Sequence, residues 1–187
     1  MIFNEHSNLK GMHSFLSASN YHWINDDDEK FIERYNNFKA IQQGTEDHAF
    51  ASLCISRKQK LPKSARTLNL YVNDAVGYRM SPEVVLRYSE NAFATCDAIA
   101  FDEKEKILRI FDLKTGKVPA SVHQLEIYAA YFCLEYDIHP GEIQIELRIY
   151  QSGEVLIFEG DTDTIAHIMD LIVSRDKMIK KMESERK

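Results

Sequence analysis

The chain has 187 residues, which is long enough for one well-packed core and short for two comfortable domains. Its composition excludes several classes of protein, because no apolar run approaches the length of a membrane span and residues 1–10 hold no hydrophobic signal region. Three cysteines without a close pair favour a reducing compartment, so we expect a single cytoplasmic domain with no membrane partner. The formal net charge of −6 argues against nucleic-acid binding, since phosphate contacts normally come from an excess of lysine and arginine.

Residues 1–43 are predicted to be a helical N-terminal part. A short helix is expected to end at Trp23, and a second helix is predicted from Glu29 to Ile41. A third helix, from Gly44 to Ser56, opens the next part of the chain. Its apolar residues lie on nearly all sides, so we expect this helix to be central and buried.

Residues 44–160 are predicted to form the core of the domain. Helices are expected from Ser64 to Val76 and from Ser121 to Tyr136, and Asp161 is a suitable N-cap for a terminal helix over residues 161–187. The predicted strands are Glu83–Tyr88, Phe93–Phe101, Ile107–Lys114, Ile143–Tyr150 and Val155–Phe158. This order predicts a mixed α/β (α+β) fold in which helices flank a central mixed β-sheet.

Two aspartates and a lysine stand on a predicted hairpin. A charged turn separates the second and third predicted strands, so the two strands should pair antiparallel and carry Asp97 and Asp112 side by side. Side chains alternate along a strand, so Asp112 and Lys114 should point to the same face. Carboxylates that hold a divalent cation, together with a lysine, are the parts that phosphodiester hydrolysis requires. An isolated D-x-K on a solvated edge hairpin is the ordinary alternative.

Further polar residues stand on the predicted helices. Gln124 and Tyr128 are four residues apart and should share one face of a helix, although Tyr128 alone would be read as a core aromatic. Glu46 and His48 are about 200° apart on a helix, so only one of them can face a common ion. Periodicity does not choose between them.

These residues together resemble a known family. The pattern Gly44-x-x-x-His48, Asp97, Asp112-Leu113-Lys114-Thr115-Gly116 and Gln124-x-x-x-Tyr128 is similar to the RecB-type branch of the PD-(D/E)xK nuclease superfamily. That branch includes nuclease domains of recombination helicases, CRISPR-associated exonucleases and many phage-encoded proteins. The resemblance spans about residues 16–158, and its motifs are specific in combination.

The resemblance implies a restriction-endonuclease-like core and a set of roles. His48, Asp97 and Asp112 would bind Mg²⁺ or Mn²⁺ together with the carbonyl of Leu113, Lys114 would be catalytic, and Gln124 and Tyr128 would support the site or the DNA. Iron–sulfur branches of the family use four cysteines, whereas this chain has Cys54, Cys96 and Cys133, so no cluster is expected. Some relatives carry a glutamate one turn after the histidine, where this chain has Ser52.

Two functions from different classes follow. The first is a metal-dependent deoxyribonuclease, an exonuclease of phage recombination or repair that acts on DNA and can assemble with itself or with a phage recombination protein. The second is a binding protein that keeps the nuclease fold with weak or no cleavage, such as a phage accessory or anti-defence factor, which the acidic charge favours. The basic segment Arg57–Lys60, with Lys63 and Arg66, is either a DNA contact or a solvated linker.

Overall fold

A computed structural model of the protein describes residues 15–16, 24–116 and 120–185. The chain divides into two compact units, Met1–Gln43 and Gly44–Lys187. The predicted helix that ends at Trp23 lies outside the described residues. In the first unit the ring of Phe15 contacts the rings of Phe31, Tyr35 and Phe38, with centroids 5.5, 5.3 and 5.4 Å away.

The described residues form four α-helices, which are α1 (Asp28–Ser56), α2 (Thr67–Gly77), α3 (His123–Tyr136) and α4 (Thr162–Ser184). Helix α1 corrects the prediction of two separate helices, because it continues through Gly44 without interruption. One glycine costs a helix interior only about 1 kcal/mol, so it does not by itself end a helix. The expectation that residues 44–56 are buried on nearly all sides is also wrong, since Phe50 and Leu53 are each 46% exposed.

The second unit is built on a five-stranded sheet with the strand order β1-β2-β3-β4-β5. The pairing of β3 with β4 is parallel and the other three pairings are antiparallel. This confirms the predicted mixed sheet flanked by helices, including the antiparallel hairpin of β2 and β3. The strands are β1 (Ser81–Ser89), β2 (Ala92–Asp102), β3 (Ile107–Lys114), β4 (Gln144–Gln151) and β5 (Glu154–Glu159).

Two hydrophobic layers cover the two faces of the sheet. On one face α3 and α4 pack against side chains that include Leu108 and Ile110 of β3. On the other face the end of α1 and helix α2 pack against Phe111 and Leu113. The period-two prediction for β3 is therefore confirmed, and it places Asp112 on the face that α3 covers.

Helix α4 is held at its start and along its length. The carboxylate of Asp161 accepts a hydrogen bond from the Thr164 amide at 2.8 Å, which confirms the predicted N-cap. The buried Asp176 accepts a hydrogen bond from Ser89 Oγ at 2.5 Å and pairs with Lys180 at 2.7 Å. These contacts fix α4 to the end of β1. None of the helices within residues 15–16, 24–116 and 120–185 has the length and apolar character needed to cross a membrane.

Gly44 allows α1 to approach the chain that leaves β3. A Cβ atom at this position would lie 2.6 Å from Thr115 Oγ1, which is closer than real Cβ contacts. Thr115 follows Lys114 directly, so this contact holds α1 against the end of the strand that carries Asp112 and Lys114.

We expect Gly44→Ala to lower the melting temperature measured by circular dichroism. At an open helix position the same change stabilises by up to about 1 kcal/mol, but here the new methyl group must displace Thr115, and overpacking costs about 1–3 kcal/mol. Adding Thr115→Ala removes Oγ1 and leaves only a Cβ at 3.6 Å, an ordinary contact. The double variant should therefore melt above Gly44→Ala, and equal melting of the two would show that this contact does not limit the packing.

Candidate metal and catalytic site

The site is located where strands β2 and β3 separate. Their pairing runs from Asp102 opposite Ile107 to Ala98 opposite Phe111 and stops there, whereas β3 stays paired with β4 through Lys114. Beyond the last pair, the Leu113 amide donates a hydrogen bond to Asp97 Oδ2 at 3.0 Å. A side-chain carboxylate thus takes the place of a backbone carbonyl, and the Leu113 amide keeps a hydrogen-bond partner where the strands separate.

The backbone of both β1 and β2 is irregular at this level. Cys96 packs in the layer of α3 and α4, whereas Ala98, two residues later, packs in the layer of α1 and α2. Residues two apart share a face in a regular strand, so the alternation breaks at Asp97. On β1, Glu83 lies between the pairs Pro82–Ala98 and Val84–Cys96 and has a left-handed φ of 51°. Such a conformation costs a residue other than glycine about 1–2 kcal/mol and is typical of functional sites.

Three potential metal ligands meet beside this irregularity. One ligand atom each from His48, Glu83 and Asp97 lies within 4.8 Å of the other two. His48 Nδ1 is 3.5 Å from Asp97 Oδ2, and this interaction raises the pKa of His48 above its usual range while partial burial opposes the shift. Partial burial and the charge of Asp97 raise the pKa of Glu83. Asp97 contributes to both shifts, and a cation bound beside it would offset its negative charge.

Asp112 is 1% exposed and is not one of these three ligands, but it is close enough to Asp97 to feel its charge. Its burial raises its pKa, the hydrogen bond from Lys114 opposes that effect, and the charge of Asp97 adds to it. Lys114 Nζ donates to Asp112 Oδ1 at 3.1 Å. Nζ is also 2.8 Å from Oδ2, but without hydrogen-bond geometry, so this buried oxygen accepts no hydrogen bond from the described residues. An oxygen of this kind is suited to bind a cation.

Lys114 is fixed by a chain of hydrogen bonds that reaches into α3. Its Nζ donates to Gln124 Oε1 at 2.8 Å, and Gln124 Nε2 donates to the Tyr128 hydroxyl at 2.8 Å. A lysine ammonium can only donate, which sets the orientation of the Gln124 amide and leaves its NH₂ group for Tyr128. The two α3 residues are one turn apart, so one face of the helix supports the lysine.

The structure brings together the side chains that the sequence analysis singled out, namely His48, Asp97, Asp112, Lys114, Gln124 and Tyr128. Leu113 contributes its amide to Asp97, and the role of its carbonyl as a metal ligand stays a prediction. Glu46 is exposed and is not part of the ligand group. Of the two α1 candidates, the structure places His48 beside the aspartates.

Sequence reasoning missed Glu83. Its only signal was its position directly after Ser81-Pro82 at the start of a strand, and a glutamate there is usually solvated. Its proximity to Asp97 depends on the register of β1 and on a left-handed backbone, neither of which a single sequence displays.

Comparison with protein-family models found no match to this chain, and no curated protein or solved structure is significantly similar to it.

We expect Glu83→Gly and Glu83→Ala to weaken Mn²⁺ binding equally in calorimetric titration, because both remove the same carboxylate. Their stabilities should differ in the direction opposite to the ordinary one. Alanine retains the left-handed strain and glycine does not, so Glu83→Gly should be the more stable variant by about 1 kcal/mol in urea unfolding. If the alanine variant is more stable, residue 83 does not have a left-handed backbone in solution.

Proposed function

We propose that the protein is a divalent-metal-dependent deoxyribonuclease that hydrolyses phosphodiester bonds, with Mg²⁺ or Mn²⁺ as the cofactor. The observation that carries this proposal is the placement of Lys114. Its ammonium group is bound between Asp112 and Gln124, beside the ligand group of His48, Glu83 and Asp97. An isolated strand-edge lysine would have no such support.

The residues present fit a hard divalent cation. Glu83, Asp97 and Asp112 offer carboxylate oxygens, which Mg²⁺ and Mn²⁺ prefer, and His48 adds an imidazole nitrogen. Asp112 Oδ2 is buried and accepts no hydrogen bond from the described residues, and an ion bound to it would share this oxygen with Lys114 Nζ, which lies 2.8 Å away. When bound, the ion would polarise a phosphoryl oxygen and lower the pKa of a water molecule.

The protein side chains supply the remaining requirements. Lys114 keeps its charge close to the carboxylates and can orient the attacking water or balance the charge that develops on the phosphate. Gln124 and Tyr128 restrict the lysine to one geometry, which reduces the reorganisation required during the reaction. The Asp97 carboxylate accepts a hydrogen bond from the Leu113 amide beyond the last pair of β2 and β3, so the two strands can separate there. The space between them would let Asp112 and the ligand group contact the same phosphate.

The resemblance to RecB-type nucleases supports an exonuclease role in phage recombination or repair, with DNA as the partner. One observation favours the alternative of a nuclease-fold binding protein without cleavage, namely the net charge of −6. Part of that charge belongs to the carboxylates that a cation would neutralise, and Glu83 adds a carboxylate to the ligands that the resemblance implies. Assays of linear, circular and single-stranded DNA with Mn²⁺ separate the two functions, since a binding protein would bind DNA without cutting it.

Asp112→Asn should abolish Mn²⁺-dependent cleavage of linear DNA, because it removes the anchoring charge at nearly constant volume. Lys114→Ala should also abolish cleavage but should retain Mn²⁺ binding in calorimetric titration, because the proposed role of the lysine is toward water and phosphate and its ammonium cannot be a ligand of the ion. Glu46→Gln is the matched control, since Glu46 is exposed and outside the ligand group. Wild-type activity in either of the first two purified variants would refute this assignment of roles.

The apparent affinity for Mn²⁺ should fall as the pH is lowered through the raised pKa of His48, because protons compete with the ion for the imidazole. The decrease should begin at a higher pH than the usual histidine value of about 6.5 would give. The stability of the metal-free protein should depend on pH in the opposite direction. The ion pair of His48 with Asp97 stabilises the fold at low pH, and this stabilisation is lost as the pH rises through the folded-state pKa of His48. Titrations of His48→Ala should show weaker binding with a flatter pH dependence, and an unchanged profile would remove His48 from the ligand set.

A further inference from the structure

One face of the β1–β2 hairpin extends away from the ligand group and carries four exposed side chains. Val84 and Ala94 pack against the layer of α3 and α4, and Leu86 and Cys96 belong to it. Side chains alternate along a strand, so the intervening residues point to the opposite side of the hairpin. We call this surface the β1–β2 platform, and its members are Val85, Arg87, Phe93 and Thr95.

The platform is continuous with the ligand group. Arg87 lies opposite Phe93 and Val85 lies opposite Thr95 in the ladder, and two residues further along the two strands are Glu83 and Asp97, where the alternation breaks. Four strand residues span about 13 Å, so Phe93 is no more than about four stacked nucleotides from the proposed cleavage position. The platform therefore lies within reach of the strand that is being cut.

The side chains of the platform have the chemistry of a nucleic-acid surface. Phe93 is 60% exposed and Val85 is 54% exposed, although they belong to a well-paired hairpin. The guanidinium of Arg87 forms no ion pair with the described residues. Exposed aromatic rings stack with bases irrespective of sequence, and a neighbouring arginine pairs with phosphate.

We infer that the β1–β2 platform binds the single-stranded part of a DNA substrate, with a base stacked on Phe93 and a phosphate paired with Arg87. This inference rests on the proposed function and assigns the surface along which the strand leaves the site. It favours single-stranded or frayed ends, because bases within a duplex do not expose their faces for stacking. The other occupant of such a surface would be a second copy of the chain.

The first test is the binding of a fluorescently labelled oligothymidylate, followed by anisotropy in EDTA so that no cleavage occurs. Phe93→Ala should weaken binding about 5- to 150-fold, the range that corresponds to one base stack of about 1–3 kcal/mol. Phe93→Tyr keeps the ring and should retain the wild-type affinity. Ile157→Ala is the matched control, because Ile157 is also 60% exposed but lies on β5 at the other edge of the sheet.

The second test is the salt dependence of the same binding. One phosphate contact to a single strand contributes about 0.7 to the slope of log affinity against log salt concentration, so Arg87→Gln should reduce the slope by about that amount. Arg87→Lys should retain the slope. An unchanged slope in Arg87→Gln would remove this residue from the DNA contact and overturn the inference.

The outcomes separate the platform from the proposed function. If the wild type cleaves DNA but Phe93→Ala binds the oligonucleotide like the wild type, the platform is wrong and the nuclease stands. If Phe93→Ala weakens binding but the wild type never cleaves, the platform stands and the nuclease falls. If the wild type does not bind the oligonucleotide, or if Phe93→Ala changes only the sedimentation of the protein, the platform does not bind DNA and the inference is overturned.

Discussion

The hydrogen bond from the Leu113 amide to the Asp97 carboxylate is the contact on which the site depends. Without it, the separation of β2 and β3 would leave the Leu113 amide without a hydrogen-bond partner in the interior, which costs about 1–3 kcal/mol. Continued pairing of the two strands would be the ordinary way to avoid this cost, and it would close the space between Asp97 and Asp112. Because a side chain satisfies the amide, the strands can separate while β3 remains paired with β4.

The separation brings negatively charged side chains close together, and neighbouring cationic side chains offset part of their charge. Glu83, Asp97 and Asp112 carry like charges close together, and Asp112 is almost fully buried. His48 and Lys114 offset part of this charge, whereas burial first, and then the charge of Asp97, raise the pKa values of Glu83 and Asp112. A divalent cation would offset the remaining charge, which links the acidity of the site to the proposed chemistry. The platform on β1 and β2 would then contact the substrate with a ring and one arginine, and it needs no large basic surface.

Much of the architecture could be predicted from the sequence, because it follows from short-range periodicity. The alternation of β3 placed Asp112 and Lys114 on one face, and the four-residue spacing of Gln124 and Tyr128 placed them on one side of α3. The cap of α4 at Asp161 followed from residue type and position. These features depend on local geometry that neighbouring residues determine.

The features that could not be predicted depend on register and long-range contact. Glu83 reaches the ligand group because its backbone is left-handed at a break in the ladder, and glutamate has no preference for that conformation. Helix α1 continues through Gly44 because the glycine is used for close approach to Thr115 and not as a helix end. In both cases tertiary contacts override the local signal.

The proposed function requires that the aspartates of β2 and β3 bind one divalent ion between them. Anomalous diffraction from crystals grown with Mn²⁺ tests this most directly, because it locates the ion without reference to activity. We expect an anomalous peak in contact with the carboxylates of both Asp97 and Asp112. A peak that contacts neither aspartate, or no peak at a Mn²⁺ concentration that supports cleavage, would contradict it.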